Sequence, residues 1–191
     1  MNFRFLAMAA ALMVSACGQT GASEPPLAGA RIGGAFTLVD QNGAVATDKD
    51  FAGKYRLMYF GYSYCPDVCP VDLQKLMAGY ARLEKTDAAA AAKVEPIFVS
   101  VDPERDQPAV LKQYVTAFHP KLTGLTGTPA QIAATAKAYA IIYSKEGSGR
   151  DYLMNHSRLA YLFGPKGEPI ALIPHDGTAD EIAAELKRWV K

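Results

Sequence analysis

Two cysteines four residues apart close a buried-strand run and open an amphipathic helix, and that junction constrains the fold more than any other stretch. Arg56 to Tyr62 is a largely apolar run of strand length, followed by Ser63-Tyr64-Cys65-Pro66-Asp67-Val68-Cys69-Pro70. Beyond it, Leu73, Leu76, Met77, Tyr80 and Leu83 recur at helical spacing between Val71 and Glu84. A proline disfavours helical dihedrals in the residue before it, which biases both Cys65 and Cys69 away from the helix. Pro70 itself suits a first helical turn, where its missing N–H is not needed. The expectation is Cys69 at or beside the N-cap, with Cys65 on the loop leading in. The positive end of the helix then favours thiolate over thiol at both sulfurs.

Three chemistries fit such a pair. A structural disulfide would close a loop so short that it constrains little of the unfolded chain. A redox dithiol usually carries C-x-x-C, and this pair has one residue more. A metal site is the third reading: two close thiolates suit Cu(I), and a stable Cu(II) form needs a further ligand.

The remaining elements follow from local patterning. Phe36 to Val39 alternates as a strand, and Gln41-Asn42-Gly43 is a hairpin-type turn. Val94 to Val101 reads as a second buried strand. Asp106 is expected to cap a helix over Gln107 to Phe118, and the acidic run Asp102, Glu104, Asp106 reads as charges at that helix start. Leu122 to Leu125 is a short strand. Thr128-Pro129-Ala130-Gln131 and Thr178-Ala179-Asp180-Glu181 are capping boxes, each opening a helix. Ile141 to Tyr143 reads as extended, Lys145 to Asp151 as a polar loop, and Arg158 to Phe163 and Ile170 to Ile173 as a hairpin. Strands alternating with helices, then a closing hairpin and helix, give one α/β domain: a thioredoxin-like fold with an N-terminal β-hairpin and a central sheet flanked by helices.

The chain has 191 residues and a formal net charge of +1, so no charge field points to nucleic acid. Arg4, the apolar run Leu6 to Val14, and Val14-Ser15-Ala16-Cys17 read as an export signal too short to span a bilayer. Small residues before Cys17 are similar to a bacterial lipoprotein signal. Residues 1–16 would then be removed and Cys17 lipidated, with 17–30 a flexible tether and 31–191 the folded domain. The product would be tethered to the periplasmic side of a membrane.

Three histidines compete as a third metal ligand. His119 is expected at a helix C-terminus and His175 in a solvated turn. His156 lies just ahead of the strand Arg158 to Phe163, where a thioredoxin-type oxidoreductase carries a proline. No proline occurs between Pro129 and Pro165, so a metal ligand stands where a peptide-docking element would be sought. Asp67 is expected to tune the pair or bond a loop N–H. Tyr62 and Tyr64 suit an aromatic wall, and Tyr59 suits the core.

At these residues the chain resembles the Sco/SenC family of copper-binding proteins. The resemblance runs from about Phe36 to Lys191 and is carried by Phe60 to Pro70, by Ser100-Val101-Asp102-Pro103-Glu104-Arg105-Asp106, and by His156-Ser157 ahead of Tyr161-Leu162. It implies one copper ion bound by Cys65, Cys69 and His156. It also implies copper delivery to, or thiol reduction of, the dinuclear copper site of cytochrome c oxidase subunit II or a similar copper protein, and exchange with other copper chaperones. The family usually has Asp before that histidine where this chain has Asn155, so loss of an outer carboxylate is expected to weaken or retune Cu(II) binding. The alternative function is a thiol–disulfide oxidoreductase using Cys65 and Cys69 as its redox dithiol. A membrane-tethered copper or redox sensor is a third.

Overall fold

The computed structural model describes residues 24–191, and Cys17 lies outside them. The N-terminal hairpin forms as expected: β1 (Thr37–Asp40) pairs antiparallel with β2 (Val45–Thr47) across a turn at Gly43, whose φ of 84° favours glycine. A 3-10 turn, Asp48–Phe51, leads into β3 (Tyr55–Gly61), which is buried along its whole length. Then come α1 (Val68–Thr86), the short α2 (Ala88–Ala91), β4 (Val94–Ser100), α3 (Pro108–Thr116), β5 (Thr123–Thr126) and α4 (Pro129–Ala138). β6 (Tyr143–Glu146), β7 (Leu153–His156), β8 (Ala160–Phe163), β9 (Pro169–Leu172) and α5 (Ala179–Trp189) complete the order.

Seven strands form one mixed sheet in the order β2-β1-β5-β4-β3-β8-β9. β3, β4 and β5 run parallel; β8 lies antiparallel to β3, and β9 antiparallel to β8. This is the thioredoxin-like arrangement expected. Its polarity gathers the chemistry at one end, because Gly61 stands opposite Ser100 and Tyr59 opposite Ala160. The loops after β3 and β4 and the approach to β8 therefore meet at the C-terminal edge of the parallel strands.

The α1 stripe buries Cys69, Asp72, Leu73, Leu76, Met77, Tyr80 and Leu83. These positions follow the helical period, so the face that packs leucines onto the sheet also carries Cys69 and Asp72 inward. Further along, α1 meets Ile182 of α5, and Gly79 makes that approach close enough. Both capping boxes form as expected, with Thr128 accepting from Gln131 N–H and Thr178 from Glu181 N–H.

Four expectations change. The helix carrying the second cysteine starts at Val68 with Asp67 as N-cap, so Cys69 lies inside the first turn rather than at the cap. The N-cap of α3 is Gln107; Asp106 is fully buried and bonded elsewhere. The polar stretch after Tyr143 is a second hairpin, β6–β7, pairing Tyr143 with His156 in its own two-stranded sheet. Its outward residues are polar apart from Leu153, so little beyond the backbone ladder marks it as a strand pair. Finally, residues 25–30, assigned to the tether by sequence, are turns docked on the domain, with Leu27 N–H donating to Ile170 O at 3.0 Å. No helix of the described residues is long and apolar enough to cross a membrane.

Candidate metal centre

Cys65 lies in the turn between β3 and α1 and Cys69 in the first turn of α1, and both are free thiols. Cys69 is fully buried and Cys65 partly so. Cys69 N–H points at Cys65 Sγ, 3.4 Å away. Burial raises the Cys65 thiol pKa, but the backbone N–H groups of Cys69, Asp67 and Val68 outweigh it, and the net shift is downward. Burial pushes the Cys69 thiol well up, reinforced by the neighbouring Cys65 and Asp72 charges. The helix start thus activates the outer sulfur, while the inner one keeps its proton until something displaces it.

Of the three histidines, the fold brings only His156 against the pair. Its Nε2 lies 3.1 Å from Cys69 Sγ, and its Nδ1 lies 3.0 Å from Ser157 O. A carbonyl can only accept, so Nδ1 carries the proton and Nε2 turns its lone pair toward the sulfur. Burial lowers the His156 pKa, which favours this neutral, ligating form. Edge-on contacts with Tyr62 and Tyr59, at ring separations of 6.0 and 6.5 Å, fix the ring plane.

His119 is remote: its Nε2 contacts Glu84 at 3.1 Å, joining the end of α3 to α1. His175 is less solvated than expected, 19% exposed and 3.8 Å from Asp72, yet it faces the carboxylate rather than the sulfurs. Asn155 is exposed and donates to Glu146 at 2.8 Å. Neighbouring strand residues point to opposite faces, so position 155 turns away from the ring of His156. The Asn155 side chain is therefore held by Glu146 rather than by the His156 ring. Tyr59 is core, as expected. Tyr64 is 52% exposed, and Arg105 stacks on it at 4.8 Å and on Tyr152 at 3.6 Å.

Two carboxylate networks that sequence reasoning missed hold the site. Asp106 accepts from Ser63 N–H at 3.0 Å, from Ser63 Oγ, and from Ser100 Oγ at 2.5 Å. It ties the loop before Cys65 to the end of β4. Asp72, 1% exposed, accepts from Tyr59 Oη at 2.9 Å, from Arg158 Nε at 3.0 Å and from Arg158 Nη2 at 2.7 Å. Removing one partner of a buried ion pair costs about 3–5 kcal/mol, and the half-exposed Arg158 puts this one toward the lower end. Asp72 had a readable signal: it falls on the apolar stripe of α1, where a solvated carboxylate does not belong.

Among the described residues, no group of three or more His, Cys, Asp or Glu side chains is drawn together as a preformed metal cage. The contacts are pairwise, Cys65 with Cys69 and Cys69 with His156. Two soft sulfurs and one imidazole nitrogen are nevertheless donor types that suit copper.

The SCO1/SenC family model matches residues 24–191. The chain belongs to the SCO1/SenC family. Protein SenC of Rhodobacter capsulatus is 43% identical over 157 residues, covering 82% of this chain and 69% of its own. The mitochondrial SCO1 homolog 1 of Arabidopsis thaliana is 39% identical over 174 residues, 88% of this chain. This SCO1/SenC chain spans about half the length of the mitochondrial relatives it matches, 51% and 52% for two of them. Among solved structures, copper-bound ScoI of Bradyrhizobium japonicum superposes with a TM-score of 0.76 at 43% identity, over 83% of this chain and 99% of that one.

Proposed function

We propose that this chain binds one copper ion through the Cys65 and Cys69 thiolates and the His156 imidazole, and serves in the assembly of cytochrome c oxidase. The observation that carries the reading is the 3.1 Å approach of His156 Nε2 to Cys69 Sγ, with the tautomer set by Ser157 O. Copper is cargo here. Two thiolates hold Cu(I), and the imidazole extends the set for Cu(II). Binding displaces any thiol proton, so loading is coupled to proton loss, and release to proton uptake, at Cys69 and Cys65. Membership of the SCO1/SenC family and similarity to a copper-bound relative support this role. The proposed recipient is the dinuclear copper site of cytochrome c oxidase subunit II or a similar copper protein, with other copper chaperones as donors. The proposed location is the periplasmic side of a membrane, reached by export and a lipid on Cys17. Val14-Ser15-Ala16-Cys17 supports that address.

The test is copper titration of the reduced protein, followed by absorbance and by metallation of the recipient. One Cu(II) per chain with intense sulfur-to-copper absorption, and transfer to the recipient, are expected. Absence of both, with turnover of recipient disulfides by Cys65 and Cys69, would establish the oxidoreductase instead.

A further inference from the structure

We propose that Asp72 and Arg158 form a clasp that sets His156 against Cys69, making Arg158 a positioning residue for the three-ligand, Cu(II) form. This rests on the copper reading above. The proposed ligands come from separately built elements. Cys69 is in the first turn of α1, which packs on the central sheet. His156 is the last residue of β7, which pairs with β6 in its own two-stranded sheet. The return of the chain into β8 brings His156 near α1, and side chains that cross between the two then hold its ring in place.

Arg158 makes that crossing. Its Nη2 and Nε donate to Asp72 Oδ1 and Oδ2 at 2.7 and 3.0 Å. Asp72 lies one helical turn beyond Cys69 and Arg158 two residues beyond His156, so the fork spans the same gap as the ligand pair. The inner end is fixed independently: Tyr59, from the middle of the central strand β3, donates to Asp72 Oδ2 at 2.9 Å. A planar guanidinium meets a carboxylate in a restricted geometry, so the contact transmits orientation as well as charge. Cys65 and Cys69 share one turn of chain and need no such help. The clasp consequently acts on the form that uses the imidazole and spares the one that needs only the sulfurs.

Arg158→Ala and Arg158→Lys, made in the full chain, separate this from a general structural role. Cu(I) affinity, Cu(II) affinity and the sulfur-to-copper absorption are measured for each. Arg158→Ala should lose about 10- to 100-fold in Cu(II) affinity, the usual scale for an outer positioning group, with Cu(I) affinity held within about threefold. Arg158→Lys keeps the charge without the fork and should behave as the alanine variant does. In the metal-free protein, nuclear Overhauser contacts between the His156 ring and the Cys69 β-protons should weaken in both. If Arg158→Ala does not fold, Arg158→Gln, which retains a single donor to Asp72, takes its place with the same expected loss. An unchanged ratio of Cu(II) to Cu(I) affinity in the alanine or glutamine variant, or full recovery in the lysine variant, overturns the clasp and leaves the copper reading standing. A wild type that binds no Cu(II) overturns the copper reading and the clasp with it.

Discussion

Nε2 of His156 and Sγ of Cys69 lie 3.1 Å apart although 87 residues of chain separate them. Neither residue belongs to the other's local structure, and the contact exists because β8 returns antiparallel to β3. Cu(I) accepts two thiolates, whereas Cu(II) gains from an imidazole. His156→Ala should therefore lose most of the sulfur-to-copper absorption while keeping Cu(I) binding and the Cys65–Cys69 redox couple. His119→Ala and His175→Ala should leave the spectrum as it is. A full Cu(II) spectrum in His156→Ala would remove the imidazole from the ligand set.

Asn155→Asp restores the residue expected from the family pattern, yet its side chain turns toward Glu146 rather than toward the ring. Replacing that hydrogen bond with two like charges on an exposed strand pair should cost on the order of 0.5 kcal/mol of stability. The Cu(II) spectrum and affinity should not move. A strengthened Cu(II) band would show that position 155 acts on the site after all.

Burial raises the Asp106 pKa from its ordinary 3.8, against the Ser100 and Ser63 hydrogen bonds that lower it. A carboxyl group that is a weaker acid when folded holds its proton longer than in the unfolded chain. Its contribution to stability is complete below the unfolded value and is lost as pH rises through the folded one. Asp106→Asn should therefore flatten the decline in stability above about pH 4. Denaturant midpoints of both proteins across pH 4 to 7 check this; parallel curves would contradict it.

At Gly79 an added Cβ would overlap the Ile182 side chain where α1 meets α5. Gly79→Ala should cost about 1–3 kcal/mol by overpacking, despite alanine's better helix propensity. Trp189, buried on α5 and the single tryptophan of the chain, reports the unfolding by fluorescence. The ratio of Cu(II) to Cu(I) affinity should stay at the wild-type value, since the contact is remote from both sulfurs. A changed ratio would mean that the α1–α5 packing reaches the site.

What the sequence by itself determined was local. The apolar period of α1, the two capping boxes, the turn at Gly43, and cysteines set between a buried strand and a helix are near-neighbour signals. They sufficed for the thioredoxin-like order and for placing the two cysteines between β3 and the body of α1; His156 was singled out by its place ahead of β8 and by the family resemblance. Asp72, Asp106 and the β6–β7 hairpin were not legible in the same way. Asp106 looked like a helix cap because a carboxylate before a proline-started helix usually is one. It is buried instead because Ser63 and Ser100, brought in by β3 and β4, supply the donors that make burial tolerable. Asp72 can sit on an apolar stripe because Arg158 arrives from the approach to β8, 86 residues away. Whether a charged side chain is solvent or core is decided by partners distant in sequence, and only the folded sheet determines which of them meet.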